Sequence, residues 1–296
     1  MVIKISKLTK TFANGKGIFD LNCEVRQGEV LGYLGPNGAG KSTTIRHLMG
    51  FVKPTQGKAT INGLDCSNES AEIQKKVGYL PGEIAFLDGM NGTQILELLG
   101  KMRGMKSISK RNQLIERFQF DPKTPIRKMS KGMKQKVGIV AAFMHDPDIL
   151  ILDEPTSGLD PLMQNLFVEL ILEEKQRGKT IFMSSHLFDE IERTCDRVAI
   201  IKDGRFVAVE DVQWLQSMQR KVFHVTLKSK EHLKMLRESG LQMIDEDHLS
   251  VSIAIQGNYD QLVRALAKCE VAQIDIVNQK LEDVFMHFYD RRGHVQ

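Results

Sequence analysis

The chain has 296 residues, 42% of them hydrophobic and 26% charged, with a formal net charge of +4. That balance excludes a disordered or fibrous chain, and the positive excess is too small to argue for nucleic acid as a partner. No apolar run approaches the roughly 18 to 20 residues that span a bilayer, and Met1-Val2-Ile3-Lys4-Ile5 lacks the pattern of a signal peptide, so a chain that does not itself cross a membrane is expected.

Taken in chain order, apolar and polar residues first alternate in Val2-Ile3-Lys4-Ile5 and Ile18-Phe19-Asp20-Leu21-Asn22-Cys23, as in exposed antiparallel strands, with Phe12 in the turn between them. The apolar Val30–Leu34 then runs into Gly35-Pro36-Asn37-Gly38-Ala39-Gly40-Lys41-Ser42, which fits the phosphate-loop pattern G-x-x-x-x-G-K-[ST], and a helix-like stretch follows. A strand, a glycine-rich loop and a helix start aim several backbone N–H groups and the positive helix end into one concavity, where a polyphosphate can sit. Glycines are needed because side chains would block that approach. Asn37, Gly38, Ala39, Gly40, Lys41, Ser42 and Thr43 are the expected phosphate contacts. Lys41 is placed to neutralise the β and γ phosphates, and the Ser42 hydroxyl to ligate Mg2+.

Gln56-Gly57 and Ile61-Asn62-Gly63-Leu64 carry turn chemistry and suggest a hairpin, so the N-terminal part is expected to form a β layer over the nucleotide. Residues 84 to 128 change to a helical period, with Ile95, Leu98, Leu99 and Met102, then Leu114, Ile115 and Phe118, which predicts a helical insertion. Lys123, Arg127, Lys128, Lys131, Lys134 and Lys136 form a basic stretch with little interleaved aromatic content, unlike a platform for stacked bases. The apolar Ile149-Leu150-Ile151-Leu152 has the composition of a buried parallel strand and ends in Asp153-Glu154. At the carboxyl end of such a strand, Asp153 can reach a magnesium shell and Glu154 the attacking water, so with the phosphate loop the pair points to hydrolysis.

Past Val198-Ala199-Ile200-Ile201 and the turn Lys202-Asp203-Gly204-Arg205, strands are expected at 222–227, 249–255 and 274–277 and helices at 230–239 and 259–268. That β-α-β-α-β order suggests a small α+β sandwich of ferredoxin-like kind over 220 to 296, after a larger unit over 1 to 215. Cys23, Cys66, Cys195 and Cys269 are scattered and form no C-x-x-C pair, as expected for reduced packing residues in a cytosolic protein.

Three further pieces complete a pattern: Met129-Ser130-Lys131-Gly132-Met133 before the acidic pair, and Ser157-Gly158-Leu159-Asp160 and Ser184-Ser185-His186 after it. Together with the phosphate loop and Asp153-Glu154, in this order and at these separations, they resemble the ATP-binding cassette (ABC) ATPases over roughly residues 1 to 210. The resemblance implies an α/β P-loop NTPase of ABC type, with a RecA-like core, an antiparallel β subdomain and a helical subdomain at about 84 to 128. It implies that ATP and Mg2+ are bound, that Phe12 stacks on adenine, that Glu154 orients or deprotonates water, and that His186 steadies the γ phosphate. Ser130 and Gly132 are then expected to face the nucleotide of a second cassette, with Asp160 at the seam of a head-to-tail dimer. One set of motifs implies a homodimer or a partner cassette. The helical insertion is expected to dock on a separate membrane-spanning permease at the cytoplasmic face of the membrane, and Leu281-Glu282-Asp283-Val284-Phe285 resembles the tail of bacterial ABC-2-type exporter subunits. The alternative is a soluble, non-transport cassette ATPase acting on ribosomes or DNA. Those commonly carry two cassettes or a long coiled-coil insertion, and this sequence has neither.

Two segments depart from the family pattern. The signature carries Met129, Lys131 and Met133 in place of the usual leucine, glycine and glutamine, while Ser130 and Gly132 are kept. Where a magnesium-coordinating glutamine is expected after Val77-Gly78-Tyr79-Leu80-Pro81, the chain has Gly82 followed by Glu83. Either Glu83 or water takes that place, or the coupling between nucleotide and partner is altered.

Overall fold

The computed structural model describes residues 1–217, 221–255 and 259–278, and the chain divides into two compact units, Met1–Glu210 and Asp211–Gln296. In the first unit, β1 (Ile3–Thr11) and β2 (Gly17–Val25) pair antiparallel and bury alternate residues, Ile3, Ile5 and Leu8 against Ile18, Leu21, Cys23 and Val25. The period of two that marks these strands in sequence places one face on the core. β3 (Val30–Leu34) is buried throughout and delivers the chain into α1 (Lys41–Leu48). β4 (Gln56–Ile61) pairs with β1, and β5 (Leu64–Asp65) folds back on it through Asn62 and Gly63, both at positive φ as the Asn-Gly turn requires. Gln56-Gly57, expected as a turn, instead opens β4. Gly57 takes φ 75°, and a Cβ there would lie 2.1 Å from Lys7 O, so it marks a close strand approach.

α2 (Ser70–Lys76) leads into β6 (Val77–Leu80), after which come α3 (Gly92–Met102) and α4 (Ser109–Phe118). The start of α3 is fixed by a capping box: Gln94 N–H donates to Asn91 Oδ1 and Asn91 N–H to Gln94 Oε1. Ile95, Leu114 and Phe118 turn inward as their period predicts, whereas Met102 in the last turn is 73% exposed. Then follow α5 (Lys131–Phe143), β7 (Ile149–Asp153), α6 (Pro161–Gln176), β8 (Thr180–Ser185), α7 (Phe188–Thr194), β9 (Arg197–Lys202) and β10 (Arg205–Asp211).

The main sheet has the order β10-β9-β3-β8-β7-β6, and the neighbours from β9 through β6 are parallel. Every residue of β3, β7 and β8 is buried, which is why their central stretches are apolar in sequence. Parallel pairing puts the carboxyl ends of β3, β8, β7 and β6 along one edge. The phosphate loop, His186, Asp153-Glu154 and Gly82-Glu83 all leave from that edge.

The second unit opens with α8 (Val212–Ser217) and builds a sheet from β11 (Lys221–Leu227), β12 (Met243–Asp247), β13 (Ser250–Ile255) and β14 (Val271–Asn278), with α9 (Lys230–Glu238) and α10 (Asp260–Leu266) in the connections. Its order, β12-β13-β11-β14 with antiparallel neighbours, and its β-α-β-β-α-β sequence are those of a ferredoxin-like sandwich. The sequence reading lacked β12. Three of its five residues are carboxylates, and it lies at a sheet edge with four residues exposed, so apolar alternation cannot reveal it. Leu233, Leu236 and Leu262 from the two helices pack with Phe223, Val225, Val251 and Ile253 in its core. The exporter-like motif at 281 to 285 lies outside the described residues.

Candidate functional site

The loop after β3 is shaped by backbone freedom. Gly38 and Gly40 sit at φ 81° and 113°, and a Cβ on Gly40 would meet Ile18 Cγ2 at 2.7 Å, while Cβ space at Gly38 is open. Ala39 is buried and offers this loop only its backbone, its N–H donating to Pro36 O at 3.2 Å. α1 begins with no side-chain cap and no acidic residue in its first turn, so the positive end of the helix faces the loop. Lys41 is only 4% exposed. Its Nζ donates to Gly35 O at 2.6 Å and Pro36 O at 3.2 Å and lies 3.3 Å from Glu154 Oε1.

β7 delivers the acidic pair. Asp153 is buried and accepts a hydrogen bond from Ser184 Oγ at 2.5 Å. Glu154 takes a left-handed φ of 46°, a conformation that costs a non-glycine residue about 1–2 kcal/mol. It is held there by its own N–H, which donates to Ser184 Oγ at 3.0 Å and Ser184 O at 3.2 Å. From α5, the buried Gln135 donates to Pro155 O at 2.7 Å and Glu154 O at 3.4 Å. His186 Nδ1 reaches Glu154 Oε2 at 3.5 Å. The carboxylate thus bridges the loop lysine and the histidine at the end of β8.

Two adjoining cavities share Ser42 and Glu154 as walls. One, of about 210 Å3, joins Phe12, Asn37, Gly38, Gly40, Lys41 and Thr43 to them, and also Lys16, which the sequence reading did not single out. The other, of about 220 Å3, is walled by Gly82, Glu83, Asp153 and Arg46. Phe12 is 43% exposed, with the Lys10 ammonium 6.0 Å from its ring centroid. Gly82 stands against the acidic pair: a Cβ there would lie 3.1 Å from Asp153 Oδ2. The first cavity has the glycine cradle and cations that suit a polyphosphate, and the second has hydroxyl and carboxylate oxygens that suit a hard divalent cation. Among the described residues, no cluster of three or more His, Cys, Asp or Glu forms a metal cage of its own, so a metal here would need oxygens from another source as well.

Ser130, Gly132 and Asp160 line neither cavity. Ser130 caps α5, its Oγ accepting from Met133 N–H at 3.2 Å, and Asp160 caps α6 by accepting from Met163 N–H at 3.0 Å, with Pro161 completing the start. Gly132 is packed on the loop between them: a Cβ would lie 2.6 Å from Gly158 O. Lys131 Nζ donates to Ser157 Oγ at 2.9 Å, tying the signature to the same loop. Gln135 and Ser184 hold the acidic pair and were missed by sequence reasoning, although Ser184 stands inside a quoted motif and Gln135 lies two residues past the signature. The cysteines are free, and burial pushes the thiols of Cys66 and Cys195 up to about 12 and of Cys23 up to about 11, so they are inert at neutral pH.

Comparison with known proteins agrees with this geometry. The family model described as ABC transporter matches residues 18–157. The chain is 34% identical over 297 residues to the bacitracin transport ATP-binding protein BcrA of Bacillus licheniformis, covering 96% of each, so the similarity extends through the C-terminal unit. Among solved structures, an ATP-binding subunit of an ABC transporter is 30% identical with a TM-score of 0.67, over 73% of this chain and 92% of that one. A dimeric cassette described as a post-hydrolysis state bound to ADP and Pi shares the fold at 22% identity, with a TM-score of 0.65 over 71% of this chain and 98% of that one. A phosphate loop facing a strained carboxylate, a histidine beside it and full-length likeness to a transport ATP-binding protein lead to one assignment: the chain belongs to the ATP-binding cassette family, as an ATP-hydrolysing, ATP-binding subunit of the ABC transporter type.

Proposed function

We propose that this chain is the energy-coupling subunit of an ABC exporter, held at the cytoplasmic face of the membrane by a separate membrane-spanning permease. The observation that carries this reading is similarity to a transport ATP-binding protein over 96% of both chains, including the ferredoxin-like unit as well as the cassette. No helix among the described residues is long and apolar enough to cross a membrane, so such a span would have to be supplied by a partner. Nothing in the site favours the soluble alternative.

In the reading proposed, ATP lies with its phosphates in the glycine loop, contacted by Asn37, Gly38, Ala39, Gly40, Lys41, Ser42 and Thr43, and its base against Phe12. Mg2+ would be held by Ser42 and Asp153, with Glu83 in place of the usual glutamine; its role is to neutralise phosphate charge. Glu154 orients and deprotonates the water, and Lys41 and His186 stabilise charge on the γ phosphate. The contacts Glu154 already makes with Lys41 and His186 support these roles. Because Ser130, Gly132 and Asp160 stand apart from this cavity, they are assigned to the nucleotide and seam of a second cassette, either another copy or a partner.

Affinity capture of the tagged chain from gently solubilised membranes of its host tests the transporter reading. A multi-spanning protein in stoichiometric amount is expected. Recovery with ribosomes or DNA-repair proteins, and none with a membrane subunit, would contradict it.

A further inference from the structure

We propose that Glu190 is a positioning residue for ATP hydrolysis: acting through Ser185, it fixes the turn that presents His186 to Glu154. The inference rests on the roles assigned above to Glu154 and His186 and adds a residue that no motif identifies.

β8 ends in two successive serines that project to opposite sides of the sheet. Ser184 Oγ serves the acidic pair, donating to Asp153 and accepting from Glu154 N–H. Ser185 Oγ turns the other way and donates to Glu190 Oε2 at 2.5 Å, while accepting from Leu187 N–H at 3.0 Å. His186 is the residue between those two bonded positions. The backbone on either side of it is therefore pinned by one hydroxyl, and that hydroxyl is pinned by one carboxyl group.

Glu190 is buried in the first turn of α7, where Thr194 Oγ1 donates to its carbonyl at 2.6 Å. Its second carboxyl oxygen, Oε1, makes no hydrogen bond of ordinary geometry among the described residues, although the Thr156 hydroxyl acts on the same carboxyl. Burial, reinforced by the charges of Glu154 and Asp189, pushes its carboxyl up to about 7, with the Ser185 and Thr156 hydroxyls opposing. A neutral carboxyl can accept the Ser185 bond without placing a second negative charge behind Glu154.

Steady-state ATPase assays on the full chain, with nucleotide affinity read separately by a fluorescent ATP analogue, test the assignment. Glu190→Ala is expected to lower kcat about tenfold, as a displaced catalytic group does, with KM for ATP within about twofold of the original. Glu190→Gln keeps a neutral acceptor for Ser185 and should restore kcat to within about twofold, while Ser185→Ala should match Glu190→Ala and add nothing to it in the double variant. Near-normal kcat in both Glu190→Ala and Ser185→Ala would overturn the inference. So would a Glu190→Gln variant that binds ATP normally yet is as slow as Glu190→Ala. If Glu190→Ala does not fold, Glu190→Gln and Ser185→Ala decide alone. Glu154→Gln is measured alongside: if it retains turnover, the site assignment itself fails, whereas a dead Glu154→Gln with neutral Glu190 and Ser185 variants removes only this inference.

Discussion

Glu83 shares a cavity wall with Ser42 and Asp153, on the side where Gly82 brings no side chain to a cation. If its carboxylate takes the missing glutamine's place, Glu83→Ala should raise the Mg2+ concentration for half-maximal ATPase roughly tenfold, the scale seen for supporting ligands, while nucleotide affinity without metal stays unchanged. An unaltered Mg2+ titration would assign the position to water. Glu190 makes a different prediction. Its folded carboxyl titrates at about 7, above the ordinary value of 4.5. Between those values the unfolded chain has released a proton that the folded chain still holds. The contribution of this group to stability is therefore full below about pH 4.5, falls as pH rises and is lost above about 7. The difference is on the order of 3 kcal/mol, so Glu190→Gln should gain stability relative to the parent at pH 8 but not at pH 4.5, as read by denaturant unfolding.

At the scale of elements, the cassette motifs were legible because each is local. A strand, a glycine loop and a helix start are consecutive in sequence, and the buried β7 announces the carboxylates at its end. The residues that hold those carboxylates were not, since Gln135 reaches Pro155 across 20 positions and Ser184 reaches Asp153 across 31. No local period encodes such contacts. β12 escaped for the opposite reason: its carboxylates contradict strand propensity and only pairing with β13 makes it a strand. α5 joins these scales. It begins at Ser130, packs Gly132 on Gly158 and holds Pro155 through Gln135, so signature and carboxylate loop are tied through one helix. Gly132→Ala would put a Cβ 2.6 Å from Gly158 O. It should cost about 1–3 kcal/mol, read as a lower unfolding midpoint, and lower ATPase even where Lys41 and Glu154 are intact. Unchanged stability and turnover would mean that the two loops can separate freely.

For the whole molecule, two units were expected near residues 1 to 215 and 220 to 296, and compact contacts divide the chain after Glu210, with α8 in the second unit. In the reading proposed, the larger unit carries both halves of a hydrolytic site: Lys41, Asp153 and Glu154 wall the two cavities, whereas Ser130, Gly132 and Asp160 line neither. On the reading proposed, hydrolysis needs two such units sandwiching ATP. Light scattering coupled to size exclusion on purified Glu154→Gln tests it directly. With Mg2+ and ATP the account predicts a dimer holding one ATP per chain, and a monomer when nucleotide is withheld or when Lys41→Ala is added. A chain that stays monomeric with ATP bound would contradict the sandwich, unless adding a partner cassette restored the pair.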